Sequence, residues 1–149
     1  MSAQHYRGLE ALYAEAPINR LFRSRLTIVE DGRSRIEFDV GPDVFHGAGA
    51  AHGTIYFKML DDAAFYAANT LVTDMFILTT AFNIFLTRPI GAGPITAHGK
   101  WVSGTRRVLI AESWLTDAEG EEVGRGTGTF MRSRIPLASL APYAAAFGG

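Results

Sequence analysis

The 149-residue chain contains no cysteine, which excludes disulfides, thiolate metal ligands and a cysteine nucleophile. It carries almost no net charge, with 14 Lys and Arg against 15 Asp and Glu, and so does not read as a nucleic-acid binder. No apolar run approaches the ~20 residues of a membrane span, and the N-terminal MSAQHYRGLEALYAEAP has no signal-peptide core. The expectation is a cytoplasmic protein that does not enter the membrane. Its four histidines are scattered away from any carboxylate cluster, which gives no metal signature, and no G-x-S-x-G elbow supports a serine hydrolase. Internal repeats and low-complexity segments are also absent.

Acidic residues are missing from one long segment. Between Met75 and Ala111 there is no Asp or Glu, while Arg88, Lys100, Arg106 and Arg107 fall inside it. A planar guanidinium suits phosphate, so a small anionic ligand is one reading of this bias; a solvated strand face is the other. With 48% apolar and 19% charged residues, the composition is that of one ordinary globular domain.

Tyr6, Leu9, Leu12 and Tyr13 recur at helical intervals before Pro17, predicting a short N-terminal helix and lead-in over 1–19. LFRSRLTIVEDGRSRIEFDV alternates about Asp31-Gly32, predicting a hairpin with strands near 20–30 and 33–40 that ends at Gly41-Pro42. A Gly/Ala-rich loop over 44–51 leads to a helix near 53–70, and strand-like runs follow at 76–88, 95–103, 106–117 and 121–133. Their short connections predict an antiparallel meander. The expected fold is α+β: a curved antiparallel sheet around one long central helix, with the order of the 134–149 tail left open. Gly124, Gly126 and Gly128 alternate on one strand face and leave it bare, with the central helix as the expected occupant. His5 and His98 read as surface or strand residues, and Asp74 as a cap or loop residue.

The predicted helix holds the chemistry. In AAHGTIYFKMLDDAAFYAA, Asp61 and Asp62 stand among apolar neighbours. Lys58 can pair with either at i+3 or i+4, which accounts for one carboxylate and leaves the other to line a wet cleft or meet specific donors. At the helix start, His52-Gly53-Thr54 offers free N–H groups and the positive end of the helix dipole, and Gly53 lets a ligand oxygen approach its amide. An oxyanion donor and a carboxylate base together equip a site for acyl hydrolysis. Nine residues separate His52 from Asp61, about 13 Å along a helix at 1.5 Å per residue, so one chain cannot join them. Antiparallel helices in a twofold dimer can.

GAAHGTIYFKMLDDAAFYAANT, TTAFNIFLTRPIGAG, the turn SGTRR and EEVGRGTGTF resemble the hotdog-fold acyl-CoA thioesterases of the PaaI-like, phenylacetate-degradation type, over about residues 20–133. The resemblance implies a hotdog domain spanning 1–149 and a homodimer, with dimer and dimer of dimers both open because such dimers often pair again, acyl-CoA as substrate and neither metal nor organic cofactor. It assigns Asp61 as general base or nucleophile on the thioester, Thr79 as the hydroxyl orienting water, the Gly53 amide as carbonyl donor, and His52 to the same corner. Arg88, Arg106 and Arg107 become candidates for coenzyme A phosphates. Two positions depart from the family pattern. Thr54 replaces a second glycine and narrows the acyl entrance. His46 stands where the family has an amide side chain, whose donor role an imidazole can also play. Two other functions remain open: a hotdog hydratase or dehydratase, against which the missing Asp-x4-His pattern speaks, and a non-catalytic acyl-CoA binder, for which His46 and Thr54 speak.

Overall fold

The computed structural model describes residues 2–148. Helix α1 (Ser2–Glu15) and the single turn α2 (Asn19–Phe22) precede the hairpin β1 (Arg25–Glu30) and β2 (Arg33–Val40). The long helix α3 (Gly53–Asn69) follows, then β3 (Met75–Leu86), β4 (Gly93–Ser103), β5 (Val108–Thr116), β6 (Glu122–Pro136) and a short α4 (Ala141–Ala145). All six strands form one antiparallel sheet in the order β1-β2-β4-β5-β6-β3. Among the described residues no helix is long and apolar enough to cross a membrane.

The expected antiparallel sheet and central helix are present, but β3 does not belong to a meander. It pairs with β6, and β4 instead lies beside β2 with Ile36 opposite Ala97. Side-chain size explains the exchange. A Cβ at Gly99 would come within 2.0 Å of the Ala63 carbonyl oxygen, so β4 is the strand on which α3 can rest directly. Serines on the flanking strands anchor the same helix: Ser34 Oγ donates to the Ala63 carbonyl at 2.5 Å and Ser113 Oγ to the Leu60 carbonyl at 2.7 Å. On α3, Ile55, Met59, Leu60, Ala63 and Ala64 are all buried, and their removal from water is the main force holding helix to sheet.

Three further expectations are corrected. The first strand starts at Arg25, because residues 19–22 form a helical turn closed by Arg23 in the left-handed region (φ 53°), with the Asn19 amide donating to the Tyr13 carbonyl at 2.7 Å. The bare face at Gly126 and Gly128 is filled by the Phe82 ring from β3, which lies where their Cβ atoms would be; α3 reaches only Gly124, through Tyr56 and Leu60. His5 is buried: its Nδ1 lies 2.6 Å from the Tyr143 hydroxyl and its Nε2 3.0 Å from the Asn69 carbonyl. In the C-terminal segment α4 is laid across α1 at Gly8, where a Cβ would strike the Tyr143 ring.

Candidate active site

His52 caps α3 with extended backbone (φ −65°, ψ 149°), and its Nδ1 accepts the Thr54 N–H at 3.1 Å. An imidazole nitrogen here replaces the usual Ser or Asp oxygen. The Thr54 hydroxyl lies 3.1 Å from the same nitrogen. Ile55 N–H donates to the His52 carbonyl at 2.9 Å, whereas among the described residues no acceptor meets the Gly53 amide. A Cβ on Gly53 would find only Leu86 at 3.5 Å, so the backbone here is little crowded, and the unpaired amide stands at the positive end of the helix.

Two turns further along, Thr79 on β3 donates its hydroxyl to Asp61 Oδ1 at 2.9 Å. Burial pushes the Asp61 carboxyl up to about 6; the Thr79 hydrogen bond opposes that rise, the neighbouring Asp62 adds to it, and Lys58 pulls it down. Asp62 points to the other flank of the helix and forms an ion pair with Lys58. Its carboxyl is also raised by burial, against the pull of Lys58. The two adjacent aspartates are thus unlike: one has a cation, the other a single neutral donor.

Thr54, Phe57 and Asp61 lie on one stripe of α3 and run beside the inner face of β3. Thr79 meets Asp61, Phe82 stacks edge-on against Phe57 at 5.7 Å, and Leu86 stands next to Gly53. The stripe is open, with Phe57 42% exposed, and β3 is the last strand of the sheet. Because α3 runs unbroken from Gly53 to Asn69, the Gly53 amide and Asp61 stay apart within the chain, as the helical spacing requires.

The remaining candidates are dispersed. His46 lies exposed in the loop before α3, its Nδ1 accepting the Ala48 N–H at 3.0 Å; no hydrogen bond ties it to Gly53 or Asp61. Arg88 stands near the start of α3, where the Tyr56 hydroxyl donates to its carbonyl, and its guanidinium lies 3.9 Å from Glu121. Arg106 and Arg107 occupy the β4–β5 turn. That turn lies near the other end of α3, since Trp101 N–H donates to the Gly32 carbonyl and Gly32 N–H to the Thr70 hydroxyl. Within one chain, Arg88 and the Arg106–Arg107 turn thus lie near opposite ends of α3. His98 is a strand residue stacked on Trp114, and Asp74 pairs with Arg132 in the loop after α3. Among the described residues no group of three or more His, Asp or Glu is arranged to hold a metal ion.

The sequence pattern of the thioesterase superfamily matches residues 48–123, just over half the chain and the whole of the α3–β3 site. The chain belongs to this superfamily. Its fold is the hotdog fold, as comparison with solved structures shows. The Escherichia coli PaaI protein from the phenylacetic acid degradation operon superposes with a TM-score of 0.82 over 91% of this chain and 97% of its own, at 18% identity. A thioesterase family protein from Silicibacter pomeroyi gives 0.79 over 85% and 96%, at 21% identity. A protein of Saccharolobus solfataricus named "Putative esterase SSO1253" is 25% identical over 103 residues, 69% of each chain. Membership of the superfamily supports thioester hydrolysis as the general chemistry.

Proposed function

We propose that the chain hydrolyses acyl-CoA thioesters as a homodimer whose two α3 helices run antiparallel, so that each Asp61 works beside the partner subunit's Gly53. The observation that carries this reading is the pairing of Asp61 with Thr79 on an open stripe whose helix-start amide at Gly53, without an acceptor among the described residues, lies about 12 Å away along the helix. Asp61 takes a proton from water as the water oxygen bonds to the thioester carbonyl carbon, and Thr79 orients the approach. The carbonyl oxygen becomes an oxyanion held by the Gly53 amide and the helix dipole. As the tetrahedral intermediate collapses, the C–S bond breaks, the thiolate leaves, and the proton on Asp61 returns to sulfur. A carboxyl group near 6 suits both duties, because it is ionised at neutral pH yet basic enough to accept a proton.

The same antiparallel arrangement brings Arg106 and Arg107 of one subunit toward the other's helix start and Arg88, which is where a coenzyme A phosphate tail would need cations. His52 holds the helix start in place, and Thr54 and His46 border the entrance. No metal or organic cofactor takes part in these steps.

The test is turnover of short, medium and aryl acyl-CoAs, followed by release of free thiol. Hydrolysis of at least one class with an acid limb at about 6, abolished by Asp61→Asn and reduced less by Asp62→Asn, supports the reading. Binding without turnover would leave a non-catalytic acyl-CoA binder, and greater damage from Asp62→Asn would misplace the base.

A further inference from the structure

Lys58 stands three residues before Asp61 and four before Asp62, so both carboxylates are within its reach on the helix. In the structure it pairs with Asp62 alone. Its Nζ also lies 5.1 Å from the Tyr13 ring centre on α1, 5.2 Å from that of Phe22 on α2, and 3.4 Å from the Tyr13 hydroxyl. Only 12% of the Lys58 side chain is exposed. The N-terminal helices thus form a slot for an ammonium ion on the flank of α3 that faces away from β3, and cation–π attraction adds to the ion pair there.

This slot determines what Asp61 meets. A lysine swung onto Asp61 would occupy the carboxylate oxygen that water needs and would hold the group firmly ionised, making it a weaker base. With Lys58 drawn aside, Asp61 keeps only the neutral Thr79 hydroxyl. Building on the hydrolytic reading above, we propose that Asp62, aided by Tyr13 and Phe22, holds Lys58 away from Asp61 and so leaves the base free and basic. Asp62 is a positioning residue, not a catalytic one. Within one chain the titratable groups around Asp61 are Lys58, Asp62 and Tyr66 on α3, with Tyr13 on α1 behind Asp62, while β3 offers the non-titrating Thr79; in the proposed dimer the partner subunit's His52, the cap before Gly53, borders Asp61 as well. Burial raises both tyrosines far above neutrality, so they stay uncharged throughout.

The direct measurement is the carbon-13 titration of the Asp61 side-chain carboxyl, alongside the pH profile of kcat. In the unaltered protein the midpoint should lie at about 6. Asp62→Asn both removes the neighbouring anion and frees Lys58, so the midpoint should fall to the ordinary carboxylate range of about 4 or below, with the acid limb of kcat following it and KM changing little. Adding Lys58→Met to Asp62→Asn should restore the midpoint toward 6, a rescue that a merely structural Asp62 would not give. Lys58→Met alone, which serves also if Asp62→Asn does not fold, should raise the midpoint because Asp62 is left unneutralised. A midpoint that ignores Asp62→Asn, is not restored in the double variant, or fails to rise in Lys58→Met overturns the proposal. The titration needs no turnover. The expected shifts in a protein that cleaves no thioester would therefore support the positioning role and sink the hydrolytic reading, while turnover with unmoved midpoints would do the reverse.

Discussion

The two edges of the sheet are treated in opposite ways. At one, β1 is six residues long, its ladder is irregular between Ile28 and Glu30, and the Ile28 N–H is taken by the Glu10 carboxylate of α1 at 2.8 Å. At the other, β3 runs for twelve residues, MFILTTAFNIFL, without a charged side chain, and leaves Leu78, Phe85 and Leu86 48%, 61% and 48% exposed. Folded chains ordinarily shorten, charge, bend or cover an edge strand, because its free N–H and C=O groups recruit other strands. This chain shortens, charges and covers β1, whereas β3 is long, uncharged and uncovered and has only the irregularities of its ladder with β6 at Met75–Ile77 and Thr79–Ala81. The open edge is also the one that carries Thr79 and borders Asp61, so the unprotected surface and the candidate chemistry coincide. In the proposed dimer a second copy covers both at once.

The sharpest way to break this contrast is to place the same charge on β1 and on the α3 stripe that borders β3. Phe57→Lys, in the middle of the open stripe, should convert the dimer to a folded monomer by light scattering and lower thioester turnover by 100-fold or more, on the order of losing an oxyanion donor. Val29→Lys, at a position 52% exposed on β1, should change neither mass nor turnover. Equal effects of the two variants would remove the distinction between the edges.

A second test concerns the stability cost of the open side. Asp61 binds its proton more tightly when folded, near 6, than unfolded, near 4, so between those values stability falls as pH rises and the loss persists above them. Asp61→Asn should therefore raise unfolding free energy above pH 6 by on the order of 3 kcal/mol and leave it unchanged below pH 4. Urea titrations at pH 3.5 and 7.5 measure the difference.

The covered side gives the smallest effect. Tyr143→Phe removes the partner of His5 Nδ1 and should cost about 1–2 kcal/mol through an unsatisfied buried nitrogen, loosening α1 and α4 without altering turnover. A loss of activity matching that of Phe57→Lys would mean the N-terminal cover is part of the site.

Much of this was readable from local sequence. Asp31-Gly32 marks the hairpin, His52-Gly53 the helix start, and the apolar periodicity of 53–69 the central helix. The distance between Gly53 and Asp61 follows from helical rise alone. Strand order did not follow, because β3 and β4 are distinguished by contacts remote in sequence: Gly99 against Ala63, and Phe82 against the glycines of β6. The burial of His5 had a local signal, since it shares the i, i+4, i+8 stripe with Leu9 and Tyr13, but a polar ring on that stripe is acceptable only once Tyr143, 138 residues away, satisfies it. The choice Lys58 makes between two carboxylates was equally hidden, as it depends on Tyr13 and Phe22 from other elements. The separation of Arg88 from Arg106 and Arg107 is likewise a property of the topology, not of the local motif.

The central claim is that one site draws Asp61 and Gly53 from different subunits, and mixing two inactive chains tests it most directly. One chain carries Asp61→Asn; the other carries Gly53→Pro, which deletes the amide donor while placing proline in the first helical turn, where it is tolerated. Each homodimer should be nearly inactive, the second by roughly 10²–10³-fold. In the heterodimer both defects fall into one site, and the other receives an intact Asp61 and an intact Gly53. Co-expressed, purified heterodimers should recover about half the unaltered rate, given one restored site in two. Heterodimers that form, retain the fold of both parents and stay as inactive as either would contradict a site shared across the interface.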